Sequence, residues 1–147
     1  MTGSIVVADI GGTHARFALA RRWENGAIEL SHQQGLSTSA YATLEGAWAR
    51  FAGAVGAALP RRAAIAVAAP VAGAPLRLTN NSWVIDPAAI SRRLGLEPLV
   101  VINDFAAVAH AVDQLADDGL AHVAGPDAPL PADGVVTVLG PGTGLGV

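Results

Sequence analysis

Apolar residues run from Ile5 to Ile10, break at Gly11, Gly12 and Thr13, and resume from His14 to Ala20 with Ala15, Phe17 and Leu19 at alternate positions. The first run reads as a buried strand and the second as a strand with one face in a core. Asn25-Gly26 follows, two residues that tolerate positive φ, so the pattern predicts a hairpin and a third antiparallel strand from Ala27 to Gln33. The chain is expected to open as a three-strand meander.

Tyr41, Leu44, Trp48, Phe51, Val55 and Leu59 then fall at spacings of three and four. That stripe predicts a helix of about five turns with one apolar face, ended by Pro60, and its aromatics read as core. Arg62 to Ala69 is a β-branched and alanine run suited to a central strand. Reached through a helix, it is expected to lie parallel to the first strand. Pro70, Gly73 and Pro75 mark turns around a short strand near Leu76 and Leu78. Asp86-Pro87 supplies an N-cap and a proline at the first helical position, opening a helix to about Leu94 that stops at Gly95. Leu99 to Ile102 reads as another buried strand, and Phe105, Val108, Val112 and Leu115 as a second helical stripe. "GPDAPLPADG" is a surface loop, Val135 to Leu139 a further strand, and "GPGTGLGV" a glycine-rich turn. Three strands, a helix, a strand and then alternation imply a mixed sheet with helices on its faces.

With 147 residues the chain suits a single domain. A domain that closes on itself rarely ends on a phosphate-type loop, so the sequence is expected to be the N-terminal part of a longer protein. Hydrophobic residues at 52% and charged ones at 14% indicate a globular protein. Twelve acids face nine arginines without a lysine, and there is no basic run to track a nucleic acid. Nucleic acid is therefore not an expected partner. The absence of cysteine excludes disulfides and cysteine zinc sites within the chain. The apolar run Ala63 to Leu76 is broken by Pro70 and Pro75, well short of the ~20 residues of a membrane span. Only a few apolar residues precede Asp9, too few for a signal-peptide core. No membrane partner and a cytoplasmic location are expected. The four histidines show no metal-ligand spacing.

Two readings fit the opening loop. Gly11 and Gly12 let the backbone bend and bring its N–H groups against an anion, Thr13 adds a hydroxyl, and Asp9 is placed to hold Mg²⁺, through water, against phosphate oxygens. The alternative is a hairpin turn in which Asp9 accepts a turn hydrogen bond. Neither a Walker A loop nor a dinucleotide fingerprint is present, since no G-x-x-x-x-G-K occurs and a strand rather than a helix follows. "GPGTGLG" is a second glycine loop after a predicted strand, either one jaw of a polyphosphate clamp or a bend without a ligand. Asn103-Asp104 stands where a strand becomes a helix. There Asp104 is either a helix N-cap or a carboxylate that takes a proton from an attacking hydroxyl. "LTNNSW", residues 78 to 83, either binds sugar hydroxyls or forms a turn.

Together, "ADIGGTHARFAL", "LTNNSW", "INDFAAVAHAV" and "GPGTGLGV" occur in the order and at the spacing of bacterial ATP-dependent glucokinases. The chain resembles about the first half of such an enzyme. The resemblance implies an α/β, ribonuclease-H-like domain of the actin-like ATPase kind, with residues 1–147 the N-terminal domain of a sugar kinase and the C-terminal domain outside this chain. It implies ATP and Mg²⁺ as cofactors, glucose as substrate, and a homodimer as the full-length form. It makes Ala8, Asp9, Ile10, Gly11, Gly12 and Thr13 the first phosphate-binding segment, with Asp9 near the metal. Gly142, Thr143 and Gly144 join the second, Asp104 becomes the base for the sugar 6-hydroxyl, Asn103 a sugar-hydroxyl ligand, and Asn80 part of the sugar-side loop. Two positions depart from the family pattern: His14 stands where asparagine is usual, and Pro141 where a small residue is. Further sugar contacts and most of the adenine pocket are expected beyond residue 147, so the chain alone is expected to be inactive. Another hexose kinase of the same fold, or a non-catalytic sugar- or nucleotide-binding regulator, remains the alternative reading of these residues.

Overall fold

A computed structural model describes residues 3–73, 75–78, 80–112, 114–115, 119–126, 128, 133–141 and 145–146. The chain divides into two compact units, Met1–Asp104 and Phe105–Val147. Among the described residues no helix is long and apolar enough to cross a membrane.

The first unit holds, in chain order, β1 (Ile5–Ile10), β2 (His14–Arg22), β3 (Ile28–Ser37), a 3-10 turn (Thr38–Ala40), α1 (Leu44–Val55), β4 (Ala63–Val67), β5 (Leu76–Arg77), β6 (Val84–Ile85), α2 (Pro87–Leu94) and β7 (Leu99–Asn103). Five strands form one sheet in the order β3-β2-β1-β4-β7. The meander β1-β2-β3 is antiparallel, whereas β4 lies parallel to β1 and β7 parallel to β4. This is the mixed α/β sheet that the strand and helix order implies, because a crossover through a helix returns the chain in the same direction.

One face of the sheet carries the core. Val6, Ala8 and Ile10 of β1, Ala15 and Phe17 of β2, and Ala63, Ile65 and Val67 of β4 are buried with Leu44, Ala47, Trp48 and Phe51 of α1. The Phe17 ring stacks on Phe51 with centroids 5.4 Å apart and meets Trp48 edge-on at 6.2 Å. Burying each such large side chain contributes about 1.5–3 kcal/mol, which is why α1 docks on this face.

α2 begins and ends where its caps predict. The Asp86 carboxylate accepts from the Ala89 N–H at 3.0 Å, and Gly95 closes the helix in the left-handed region at φ +64°.

α1 is shorter than its stripe predicts. The Thr43 side chain caps its start, and Gly56 at φ +68° ends it, with its N–H bonded to the Ala52 carbonyl, four residues before Pro60. A glycine that takes the left-handed conformation terminates the helix although apolar residues continue. Tyr41 and Leu59 pack against the core from outside the helix.

The Asn25-Gly26 hairpin also differs from expectation. Of the two turn residues only Gly26 has positive φ, at +88°. Asn25 instead accepts the Ala27 N–H on its side-chain oxygen at 3.1 Å, and the Trp23 N–H bonds the Ala27 carbonyl at 2.8 Å, giving a loop of Glu24, Asn25 and Gly26. β3 runs on to Ser37, past Gln33, by absorbing an extra residue: the register shifts between the Phe17↔Gln34 and Leu19↔Ser31 pairs, and His32 there has φ +52°.

β7 is less buried than its sequence suggests. It pairs with β4 on one side; Leu99 and Val101 pack against the core, while Val100 is 49% exposed. The short strand near Leu76 is present and pairs with β6 through Leu76↔Ile85 and Arg77↔Val84.

α3 (Asp104–Val112) starts on the last residue of the first unit. Its expected stripe is not a buried one: none of its residues is buried, Val108 is 45% exposed, and Leu115 lies past its end. The strand expected over Val135 to Leu139 is not formed. Those residues join no sheet among the described strands, and Val135 is 94% exposed. An apolar run becomes a strand only where a neighbour accepts its backbone ladder. The strand pairing in this region is β8 (Gly140–Pro141) against β9 (Leu145–Gly146). Within this second unit Gly140 sits so close to the Phe105 ring that any Cβ would overlap it.

Candidate functional site

The register of the parallel strands sets the level of the site. Ile10 pairs with Val67, and Val67 with Asn103, so the carboxyl ends of β1, β4 and β7 finish side by side. At ~4.8 Å per strand, the chain leaving β1 as Gly11 and the chain leaving β7 as Asp104 stand about 10 Å apart. Ligands of open α/β sheets bind beyond this edge.

At the β1 end, the Gly11 N–H donates to the His14 carbonyl at 2.9 Å and narrows the turn to Gly12 and Thr13. The Gly12 carbonyl accepts from the Thr38 hydroxyl at 2.8 Å and from the Asn81 amide at 3.2 Å, while the Thr13 carbonyl accepts from the Thr38 N–H at 3.0 Å. A Cβ on Gly12 would lie 3.2 Å from the Asn80 Cβ. Here glycine is needed for close approach by the 80–83 segment rather than for positive φ.

That segment is built around Trp83, which is 2% exposed. Its indole N–H donates to the Tyr41 carbonyl at 2.9 Å, and its backbone N–H to the Asn81 side-chain oxygen at 2.8 Å. Asn80 is exposed beside an open cleft of about 470 Å³ that Gly12, Thr38, Tyr41, Asn81 and Ser82 also line. Thr38 did not stand out in the sequence, and Asn81 did so only as part of "LTNNSW", since each acts on a backbone group distant along the chain.

Asp9 lies one residue before the edge, on the sheet face opposite α1, beside its cross-strand partner Arg16. The Arg16 guanidinium reaches Asp9 Oδ2 at 2.8 Å, and both side chains are largely exposed. Asp9 therefore makes a cross-strand ion pair rather than the turn hydrogen bond its position allowed. No cluster of three metal-ligating side chains occurs among the described residues. A single exposed carboxylate such as Asp9 is a donor that fits Mg²⁺ held mainly by waters and phosphate oxygens.

At the β7 end, the Asn103 amide donates to the Ala69 carbonyl at 3.3 Å and to Asp104 Oδ1 at 2.9 Å. Asp104 occupies the first turn of α3, and both residues are partly buried. A carboxylate held in this way at the sheet edge can accept a proton from a hydroxyl brought to it. The fold thus brings Ala8, Asp9, Ile10, Gly11, Gly12, Thr13, Asn80, Asn103 and Asp104 to one end of the first unit. Gly142, Thr143 and Gly144 lie outside the described residues.

The family model for glucokinase matches residues 6–147. A glucokinase of Zymomonas mobilis is 51% identical, over 97% of this chain and 44% of its own length. One from Nitrobacter hamburgensis is 44% identical, over 100% of this chain and 44% of its length. Among solved structures, a glucokinase from an Antarctic psychrotroph superposes with a TM-score of 0.74 at 32% identity, over 80% of this chain and 37% of that one. The chain spans less than half the length of these relatives.

Proposed function

Given that the chain belongs to the glucokinase family, we propose that it forms the N-terminal half of an ATP-dependent glucokinase. The reading rests on one observation above all, the register that ends β1, β4 and β7 together and so sets a glycine turn and a carboxylate about two strand spacings apart. In this reading the nucleotide's phosphates lie against Gly11, Gly12 and Thr13, and Gly142, Thr143 and Gly144 are a second phosphate-binding segment. The sugar lies between Asn80 and Asn103, with its 6-hydroxyl at Asp104.

Asp104 takes the proton of that hydroxyl as the oxygen forms its bond to the γ-phosphorus and the bond from phosphorus to the ADP oxygen breaks. Glucose 6-phosphate and ADP result. The Gly12 and Thr13 N–H groups face the charge that gathers on the transferring phosphoryl oxygens, that of Gly11 being held by the His14 carbonyl. Asp9 would hold Mg²⁺, through water, and a bound ion would neutralise phosphate charge. In the same reading the working protein is cytoplasmic, where its substrate ATP is supplied, and acts as a homodimer.

The test is an ATP-coupled assay of the full-length protein on glucose, mannose, fructose and N-acetylglucosamine. Glucose is expected to give the highest kcat/KM, and residues 1–147 alone negligible turnover. Preference for another hexose would reassign the substrate, and ATP binding without transfer to any sugar would favour a regulator. Light scattering on the same preparation checks the dimer.

A further inference from the structure

We propose that Thr38 and Asn81 are positioning residues that hold the Gly12 carbonyl inward and thereby aim the Thr13 N–H at the anionic phosphate of the nucleotide. The inference rests on the reading of Gly11 to Thr13 as a phosphate-binding turn.

A trans peptide is planar, and its C=O and N–H point in opposite directions. The Gly12 carbonyl is fixed by two donors, the Thr38 hydroxyl at 2.8 Å and the Asn81 amide at 3.2 Å. The N–H of Thr13, on the far side of the same peptide plane, therefore points away from Thr38 and Asn81. It has no hydrogen-bond partner among the described residues. Thr38 is 2% exposed, the one buried polar side chain among the described residues, and its hydroxyl is spent on this carbonyl. Its own N–H holds the next carbonyl, that of Thr13. Without the two side-chain donors, glycine would let the peptide rotate. Rotation would turn a carbonyl oxygen, with its partial negative charge, toward the phosphate in place of an N–H.

Neither clamp is required to pair the strands, because β1, β2 and β3 are joined through their backbones. Asn81 also accepts from the Trp83 N–H, so the clamp belongs to the same segment that carries Asn80. The phosphate turn and the sugar-side loop consequently share one carbonyl as their joint.

The experiment is equilibrium binding of ATP, and separately of inorganic tripolyphosphate, to the full-length protein by calorimetry. Thr38→Val keeps the buried shape and removes the donor; Thr38→Ser keeps the donor. Loss of one hydrogen bond should raise the Kd for both ligands about three- to tenfold in Thr38→Val, with Thr38→Ser restoring it. Adding Asn81→Ala should weaken binding further. If Thr38→Val does not fold, Asn81→Ala alone, at a part-exposed position, reads the same clamp. Unchanged affinity in a folded Thr38→Val or Asn81→Ala variant, a loss that Thr38→Ser fails to restore, or a wild type that binds neither ligand would overturn the proposal. A wild type that binds ATP but transfers phosphate to none of the sugars refutes the kinase reading and leaves this inference intact.

Discussion

The Asn103 amide holds Asp104 by one oxygen, 2.9 Å from Nδ2, while the same nitrogen reaches the Ala69 carbonyl at 3.3 Å. The amide thus ties the carboxylate to the backbone that leaves β4, the strand beside β7, and fixes its orientation at the sheet edge. As the proposed base, Asp104 aimed in this way would contribute to the chemical step rather than to sugar affinity. Asp104→Ala in the full-length protein is expected to lower kcat about 10²- to 10⁴-fold, with glucose affinity by calorimetry little changed. Surviving turnover would reduce Asp104 to a helix-end residue.

Gly12→Ala tests the close approach of the 80–83 segment. The new methyl would sit 3.2 Å from the Asn80 Cβ and 3.6 Å from its Cα. The methyl would meet the Asn80 Cβ and backbone, and because Asn80 is exposed the segment can shift by the few tenths of an ångström required. The stability cost should stay below the about 1–3 kcal/mol of an overpacked core. The KM for glucose should rise severalfold, because Asn80 lines the cleft. Urea denaturation and steady-state kinetics separate the two effects, and a large stability loss with unchanged KM would contradict this account.

Much of the fold was legible because its signals are local. Asp86, Pro87 and Gly95 bound α2 by cap chemistry, and the break at Gly11 separates two apolar runs. The end of α1 was misplaced because the apolar stripe persists past Gly56, whose left-handed φ outweighs it. Val135 to Leu139 has the composition of a strand, but composition does not supply the neighbouring ladder. The placement of the candidate site was legible to the same degree: Asp9, Gly12 and Asp104 lie at strand ends. Thr38 and Asn81 reach a carbonyl 26 and 69 residues away, and a long-range bond from side chain to backbone leaves no periodic trace.

Trp83 anchors the 80–83 segment, so its substitutions should grade with what they remove. Trp83→Phe keeps an aromatic ring but leaves the Tyr41 carbonyl without the indole donor, at a cost of about 1–3 kcal/mol. Trp83→Ala also opens a cavity and should cost about 3–5 kcal/mol. Urea midpoints of the two variants check the order. Equal losses would mean that burial of the ring adds nothing to the anchoring beyond the hydrogen bond, and an unchanged midpoint in Trp83→Phe that the hydrogen bond carries no part of it.

Glu45 and Arg93 join the first turn of α1 to the last turn of α2 at 2.9 Å. Burial by itself raises the Glu45 carboxyl, but hydrogen bonds from its own backbone N–H, from Arg93 and from Thr43, with the Arg93 charge, together hold it below its ordinary value of 4.5. A lowered folded-state value means that the ionised form is favoured by folding. Its contribution is therefore present above the unfolded-state value and lost as pH falls through the folded-state one. Arg93 is 69% exposed, so solvent screening limits the pair to under about 1 kcal/mol. Below about pH 4.5, Glu45→Gln should flatten part of the wild-type decline in stability, seen as a shallower slope of urea midpoint against pH. Parallel slopes in the two proteins would show that the contact contributes nothing to acid sensitivity.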